Sequence, residues 1–297
     1  MDLTGLKNVF GERFFYFTRD GLKKFLANFK GEGDPYNLIK ANKAIKDTHK
    51  GERCFILGNG PSLKTIDFKK LADEFVFSVN YFNLIEGYQD AKTNVHLWMD
   101  LNTFDMRPEV KEDPVLLKRN FEDIIKENPV CFIPADAYPF VKKTGLDNDL
   151  DIKYVIPGRT MVDKKILDVD LTKTLYASST VVQYAIQIAI YMGFSEIYLL
   201  GCDSTNILTH LNTILGQSNT SLHAYSSEID NAESATRELM QTWKTNRFIY
   251  DHYVIFRGYD LLNDYCNKVG VKLYNCSNPT LITEIQRADF DDIISRK

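Results

Sequence analysis

The sequence predicts an α/β fold in which helices cover both faces of a mostly parallel sheet. From residue 51 onward, short apolar runs recur that are continuous rather than alternating, which is typical of strands buried on both faces. Stretches with helical periodicity lie between several of them, and strand–helix–strand alternation indicates parallel pairing. The strand candidates are CFIL (54–57), FVFSV (75–79), NVHLWM (94–99), VCFI (130–133), EIYLLGC (196–202) and VKLYNC (271–276).

Three further segments complete the predicted organisation. The stretch SLKTIDFKKLADE (62–74) reads as a helix that follows the first strand. The stretch TVVQYAIQIAIYMG (180–193) is apolar nearly all round, so we expect a central helix there. Residues 204–250 are polar and show no clear period. A segment of this length inside a compact domain predicts a lid over a site, with a disordered loop as the alternative.

Composition limits the classes of protein to which the chain can belong. With 297 residues, 44% of them hydrophobic, it is long enough for one large α/β domain with appended pieces. A net charge of −4 argues against nucleic-acid binding, which usually needs a basic domain. The five cysteines show no metal-binding spacing, so we expect small buried side chains in a reducing cytosol. The N-terminus is not typical of a secretory signal, and a cytoplasmic location is expected.

The sequence predicts two parts of the chain. Residues 1–50 form a helical, basic and amphipathic N-terminal extension, and residues 51–297 form the sheet domain. Phenylalanine and leucine alternate with lysine and arginine in GLKNVFGERFFYFTRDGLKKFLANFK. Such a helix either lies on an anionic membrane surface or packs on its own protein. Peripheral contact with the inner face of the cytoplasmic membrane, through residues 1–30, is therefore one expectation.

The first strand ends in an unusual turn, Gly58-Asn59-Gly60-Pro61-Ser62. Ligands of open parallel sheets bind outside the carboxyl ends of the strands. Glycine lets a backbone approach a ligand closely, the first N–H groups of a helix attract anions, and proline is tolerated at the first helical position. The serine could cap the helix or bond a phosphate. The turn therefore indicates a phosphate or nucleotide contact, although it lacks a dinucleotide or Walker pattern and a plain tight turn remains the alternative.

Polar residues also follow the other predicted strands. Because the carboxyl ends of parallel strands share one edge of the sheet, we expect these side chains to converge on a binding cleft. The stretch LYASST leads into the central helix and forms a second candidate anion-binding helix start. The candidates at this edge are Asn80, Asp100, Asn102, Ser178, Ser179, Thr180 and Asp203.

Four blocks of the sequence resemble a known enzyme family. They are GNGPSLKTIDFKKL, FVFSVNYF, GFSEIYLLGCD and DHYVIFRGYDLLNDYCNKVGVKLYNCSNP. Over roughly residues 52–285 they resemble the family 42 bacterial sialyltransferases. They are also similar to the wider clan that contains motility accessory factors, archaeal 6-hydroxymethylpterin diphosphokinases and polysaccharide-cluster glycosyltransferases. The first 50 residues lie outside the resemblance.

The resemblance implies a Rossmann-like variant of the glycosyltransferase A fold with a smaller lid. It implies inverting transfer of a sugar from a nucleotide-activated donor, a CMP-sialic acid-like donor first, without a bound metal. The implied acceptor is a glycan or lipid-linked glycan, and the product a bacterial surface polysaccharide or glycolipid such as capsule or lipopolysaccharide. The oligomeric state stays open, with a homo-oligomer among the expected forms.

Matching the family's motifs onto this chain gives roles to several residues. Asn59 and Gly60 would lie against the donor phosphate and sugar, Asn80 beside the nucleotide, and the turn 178–180 against the donor. His252 falls where the family has its general base, a task that suits an imidazole with an ordinary pKa of about 6.5. His223 is the second candidate for the base.

The sequence also departs from the family in two places. The family has two tyrosines after its G-x-D block, whereas this chain reads GCDSTNILTHLN, and Tyr225 or Tyr250 could supply the missing hydroxyl. Tyr250 also flanks the candidate base and could orient it. Asp100 stands where the family has an asparagine, and a carboxylate there repels an acidic donor unless it bonds a ribose hydroxyl or a metal.

Three alternatives stay open. The donor could be a UDP-hexose, including UDP-galactofuranose. The protein could be a pterin diphosphokinase that uses ATP and magnesium, with Asp100 and Asp203 as ligands. It could also be a non-catalytic nucleotide-binding module.

Overall fold

A computed structural model describes residues 35–104, 114–160, 166, 168–177, 180–217, 223–225 and 244–296. Within these residues, nine strands form one sheet in the order β6-β5-β4-β3-β2-β1-β7-β8-β9, and every neighbouring pair is parallel. The predicted α/β fold class is confirmed. The strands are β1 Arg53–Leu57, β2 Phe75–Val79, β3 Val95–Leu97, β4 Val130–Pro134, β5 Ile152–Thr160, β6 Thr174–Ala177, β7 Glu196–Leu200, β8 Lys272–Asn275 and β9 Gln286–Arg287.

The strand order reverses beside β1. The chain builds outward from β1 to β6 and then returns, so that β7 pairs with the other side of β1. The connections that leave β1 and β7 therefore diverge, and a crevice opens at their carboxyl ends, which is where open α/β sheets bind ligands.

Three strands of the described residues were not predicted from the sequence. In β5 a proline and a glycine interrupt the apolar run, and its register with β6 shifts between Pro157 and Thr160. The strands β6 and β9 have only four and two residues, too few for a periodic signal. These strands lie toward the two edges of the sheet.

Seven α-helices accompany the described part of the sheet. They are α1 Pro35–Lys40, α2 Pro114–Glu127, α3 Tyr138–Thr144, α4 Val181–Met192, α5 Asn206–Ile214, α6 Thr245–Val269 and α7 Phe290–Ile294. The helix predicted at 62–74 is wrong, because two short 3-10 helices, Pro61–Thr65 and Phe68–Leu71, take its place. Ile66 between them is extended, and the side chain of Asp67 accepts from the N–H of Lys69 and starts the second turn anew.

Both faces of the sheet are packed. Cys54 and Ile56 of β1 join the apolar cluster that includes α4 and α6, while Phe55 and Leu57 join a cluster on the opposite face. All four side chains are fully buried. Ten of the twelve residues of α4 are buried, which confirms the prediction of a central helix.

The described part of the predicted N-terminal extension packs on the sheet. Ile39 of α1 is buried, and the side-chain amide of Asn42 donates to the carbonyls of Tyr154 and Leu171 at 2.8 and 3.0 Å. Residues 1–34 lie outside the described residues, so membrane contact through 1–30 stays a prediction. No described helix has the length and apolar character that crossing a membrane requires.

The predicted lid at 204–250 is partly described. It contains α5 and the start of α6, whereas residues 218–222 and 226–243 lie outside the described range. Closure over a site therefore stays a prediction.

The contacts of Asn42 predict a test of how residues 35–50 dock. Replacing Asn42 by alanine leaves two buried carbonyls without their donor, which should lower the free energy of unfolding by about 2 kcal/mol. The exposed Asn37→Ala in the same segment should cost less than about 0.5 kcal/mol. Urea denaturation of both variants measures the difference. Equal costs would show that Asn42 does not hold this segment to the sheet.

Candidate functional site

A cavity of about 570 Å³ opens at the carboxyl edge of the sheet. The ends of β1, β2, β3 and β7 form one part of its wall, and the start of α4 and the middle of α6 form another. Of the residues that the sequence singled out, the cavity brings together Gly58, Asn59, Gly60, Asn80, Asp100, Thr180, Asp203 and His223. Pro61, Ser62, Asn102, Tyr225, Tyr250 and His252 are not among the lining residues, and Ser178 and Ser179 lie outside the described residues.

The glycines of the first turn face the end of β7. A Cβ on Gly58 would lie 2.4 Å from the carbonyl oxygen of Gly201, and one on Gly60 would lie 2.6 Å from the carboxyl carbon of Asp203. The N–H groups of Gly58 and Gly60 donate to the carbonyls of Leu200 and Gly201, each at 2.8 Å. The close approach that requires glycine here is therefore between two strand ends of the protein itself.

The end of β7 is packed equally tightly against the turn after β1, and we call this contact between the two strand ends the interlock. Gly201 has a φ of +65°, and a Cβ on it would lie 2.5 Å from Cγ of Leu63. The N–H of Ser62 donates to Oδ2 of Asp203 at 2.8 Å, and the Ser62 hydroxyl donates to Oδ1. Burial raises the pKa of the Asp203 carboxyl, and the two hydrogen bonds from Ser62 oppose that rise.

The amides of this turn are less accessible to an anion than the sequence predicts. The N–H groups at positions 58, 60 and 62 all donate within the protein, and Pro61 has none. The segment that follows is a five-residue 3-10 helix rather than an α-helix. So short a helix adds little partial positive charge at its N-terminus to attract an anion. This turn shapes the cavity wall through its fold, and an anion would find few of its amides available.

Two asparagine side chains on the cavity wall have unsatisfied oxygens. The Asn59 amide nitrogen donates to the carbonyl of Val79 at 3.2 Å, which leaves Oδ1 as the remaining polar atom. Oδ1 of Asn59 and Oδ1 of Asn80 are both buried and accept no hydrogen bond from the part of the chain that the structure describes. A buried acceptor without a donor costs free energy, so both atoms favour a ligand that carries O–H or N–H groups.

Asn80 itself is held in a strained conformation. Its φ is +49°, which is uncommon for a residue other than glycine. Its N–H donates to the carbonyl of Leu97 at 2.9 Å, and its carbonyl accepts from the side chain of Asn120 at 2.9 Å. Asn120 is 1% exposed and also accepts from the indole N–H of Trp98 at 2.8 Å. The sequence analysis missed Asn120, whose only signal is an amide among the apolar positions of α2.

The two candidate bases occupy different places. His223 lines the cavity, its ring stacks on Tyr225 with centroids 4.6 Å apart, and the next amide, of Ala224, donates to the carbonyl of Asn59 at 2.8 Å. These contacts hold the described piece 223–225 against the turn after β1.

His252 lies on α6 and is 5% exposed. Its Nδ1–H donates to the carbonyl of Phe248 at 2.9 Å, so the neutral ring carries its lone pair on Nε2. Ile255 and Tyr259, three and seven residues further along the helix, line the cavity. His252 therefore continues the helical stripe that forms this wall.

The remaining candidates divide between the surface and the wall. Tyr250 is 52% exposed, whereas Tyr225 is buried beneath His223. Tyr259, which the sequence analysis missed, lines the cavity and is 1% exposed. Burial raises its pKa well above the usual value, and a hydrogen bond with Thr180 opposes the rise.

The start of α4 faces the cavity. Thr180 is its N-cap residue, with an extended backbone, and Thr180, Val181 and Val182 all line the wall. The partial positive charge of a twelve-residue helix therefore points into the cavity. At the end of β3, the Asp100 carboxylate accepts from the N–H of Asn102 at 3.0 Å. Within the described ranges, no three His, Cys, Asp or Glu side chains are grouped as metal ligands.

The interlock of the two strand ends predicts a large cost for a single methyl group. Gly58→Ala would press Cβ against the Gly201 carbonyl, and we expect a loss of about 3 kcal/mol in the free energy of unfolding. Gly51→Ala is a suitable control: it has a φ of +87° but nothing within 4 Å of the new methyl group, so about 1 kcal/mol of backbone strain is expected. Urea denaturation compares them, and a Gly58 variant as stable as the control would contradict the interlock.

No protein-family model and no curated protein matches the sequence. Among solved structures, the chain is similar to the sialyltransferase CstII from Campylobacter jejuni in complex with a substrate analogue, CMP-3FNeuAc, at 17% identity over 80% of this chain and 86% of that chain, with a TM-score of 0.45. A second CstII structure, with cytidine-5'-monophosphate, gives 17% identity over the same 80% and 86%, with a TM-score of 0.44.

A third similar structure is that of a mutant of the alpha-2,3/8-sialyltransferase CstII, at 18% identity over 80% of this chain and 87% of that chain, with a TM-score of 0.41. These proteins are family 42 sialyltransferases, the family that the sequence motifs resemble. At these identities and scores the likeness is one of fold, and no functional conclusion follows from it.

Proposed function

We propose that the protein is an inverting glycosyltransferase that binds a nucleotide-activated sugar in the cavity and transfers the sugar to a glycan or lipid-linked glycan, in the synthesis of a bacterial surface polysaccharide or glycolipid. The observation that carries the proposal is the composition of the cavity wall. A helix N-terminus, two buried amide oxygens that accept no hydrogen bond from the described residues, and a histidine meet at the β1/β7 switch point of a parallel sheet. A ligand with one anionic group and several hydroxyl groups fits that combination.

The donor phosphate is assigned to the start of α4. The helix dipole and the first amides of α4 favour a negative charge there, and the hydroxyl of Thr180 lies at the same point. Ser178 and Ser179 precede it in the sequence and remain proposed contacts. The amides of Gly58 and Gly60 donate to the end of β7 and are not needed for this assignment.

The nucleoside and the sugar are assigned to the opposite wall. Oδ1 of Asn59 and Oδ1 of Asn80 would accept from hydroxyl or amino groups, and Asp100, with Asn102 beside it, would accept from a ribose hydroxyl. Pro61, Ser62 and Asp203 would act by fixing the turn that carries Asn59. A CMP-linked sialic acid and a UDP-hexose share the ribose and the phosphate, so both donors meet these requirements.

The transfer needs one proton to move. The acceptor hydroxyl attacks the anomeric carbon, the bond from that carbon to the phosphate oxygen breaks, and the nucleotide leaves with the bonding electrons. We assign the base to His252, because its Nδ1–H donates to the Phe248 carbonyl and the lone pair of the neutral ring is therefore on Nε2. His223 is the second candidate because it lines the cavity. A hydroxyl from Tyr225 or Tyr250 would assist the leaving phosphate.

The pterin diphosphokinase alternative has weaker support. It would use Asp100 and Asp203 as magnesium ligands, yet both carboxylate oxygens of Asp203 accept hydrogen bonds from Ser62. Binding a cation there would require the protein to break the contact that joins the ends of β1 and β7.

Nucleotide binding tests the proposal most directly. CMP or UDP at about 100 times its dissociation constant should stabilise the protein by about 2.7 kcal/mol, because the ligand binds only the folded state. Thermal unfolding is to be measured with CMP, UDP, GDP and ATP, each with and without magnesium. Asn59→Ala serves as a site control and should weaken the binding about tenfold. A shift with ATP alone that depends on magnesium would favour the kinase, and no shift with any nucleotide would refute the proposal.

A pair of histidine variants tests the base. With a donor that binds, His252→Ala should lower turnover, measured as nucleotide release, by about 100-fold or more while nucleotide affinity stays within about threefold. His223→Ala should affect turnover less. The reverse pattern, full turnover in His252→Ala and none in His223→Ala, would transfer the role of base to His223.

A further inference from the structure

A buried glutamine connects the two helices that form the cavity wall. Gln183 lies in the first turn of α4, is fully buried and does not line the cavity. Its side-chain nitrogen donates to the carbonyl of Ile255 on α6 at 2.7 Å. Its neighbours Val182 and Tyr184 line the cavity, as does Ile255. The hydrogen bond therefore joins α4 and α6 at the level of the proposed site.

α6 has a notch that accommodates this side chain. A Cβ on Gly258 would lie 2.5 Å from Oε1 and 2.8 Å from Nε2 of Gln183, so a side chain at this position would displace the amide. Glycine is a poor helix former, and it lies here in the middle of a 25-residue helix. The space that the Gln183 amide needs explains why a glycine stands in the middle of α6.

The two helices carry different parts of the proposed chemistry. The start of α4 would hold the donor phosphate, and α6 carries His252 one turn before Ile255. A general base must come within about 3 Å of the proton that it removes. A misplacement of about 1 Å by a residue far from the reaction can cost about 100-fold in rate. The spacing between α4 and α6 is therefore the distance that matters for turnover.

We propose that Gln183, seated in the Gly258 notch, is a positioning residue that sets the distance between the donor-binding start of α4 and the base-bearing stripe of α6. The inference rests on the proposed function, because it assigns Gln183 to the same site without any contact to substrate. Because Gln183 aligns the two helices, its loss should lower turnover and leave nucleotide affinity nearly unchanged.

The test separates alignment from stability. Gln183→Met keeps the size of the side chain and removes the hydrogen bond to Ile255, and Gly258→Ala fills the notch. In each variant we expect turnover of the donor to fall about tenfold or more. Nucleotide affinity should stay within about threefold of the unchanged protein. Gln187→Met is the matched control, since Gln187 is also buried on α4 but bonds to Tyr176 and to the α4 backbone. It should lower thermal stability to a similar degree with a smaller loss of turnover.

A double variant adds a second criterion. In the double variant Gln183→Ala/Gly258→Ala, the new methyl group on α6 meets no amide. Adding Gly258→Ala to Gln183→Ala should therefore cause little further loss of turnover. Retained turnover in Gln183→Met, a loss of turnover equal to that of the Gln187 control, or a parallel loss of affinity and turnover would each overturn the positioning role. Failure of the unchanged protein to bind any nucleotide would instead refute the proposed function.

Discussion

The structure depends on the contact between the end of β1 and the end of β7. The two strands pair over five residues at the point where the strand order reverses, and their connections leave the carboxyl ends in opposite directions. Glycines at 58, 60 and 201 let the two turns touch, and Ser62 closes the contact by binding the Asp203 carboxylate. The cavity wall, the position of Asn59 and the attachment of segment 223–225 all follow from that contact.

The second constraint is the use of buried amides to fix helices and turns. Asn42, Asn120 and Gln183 are each at most 1% exposed, and each donates to a backbone carbonyl of a distant segment. A buried amide is costly unless it is bonded, so each of these side chains favours one arrangement of the elements that it joins. Apolar packing alone would tolerate sliding between those elements more readily. Two of the three, Asn120 and Gln183, hold segments next to the carboxyl edge of the sheet.

Sequence reasoning recovered the central sheet because its strands are uninterrupted apolar runs. It recovered α4 for the same reason, and of the polar residues that it expected at the carboxyl edge, the cavity wall contains Asn80, Asp100, Thr180 and Asp203. It could not recover what depends on pairing between distant segments. The partner of Gly60 is 141 or more residues away, and nothing in GNGPS tells whether its glycines face a ligand or another strand. Gln183 is one of two glutamines in α4, and Asn120 is one of several polar residues in α2, so the sequence does not show which of them has a distant partner. The short strands β6 and β9 have no period to read.

The carboxylate of Asp203 has a consequence for how any ligand must lie. It takes up the amide and the hydroxyl of Ser62, the groups that an incoming anion would otherwise use, and it places a negative group at that end of the crevice. The start of α4, on another part of the cavity wall, carries the positive pole of that helix. An anionic group of a guest molecule is therefore repelled by Asp203 and attracted by the start of α4, which favours one orientation of the guest over the reverse.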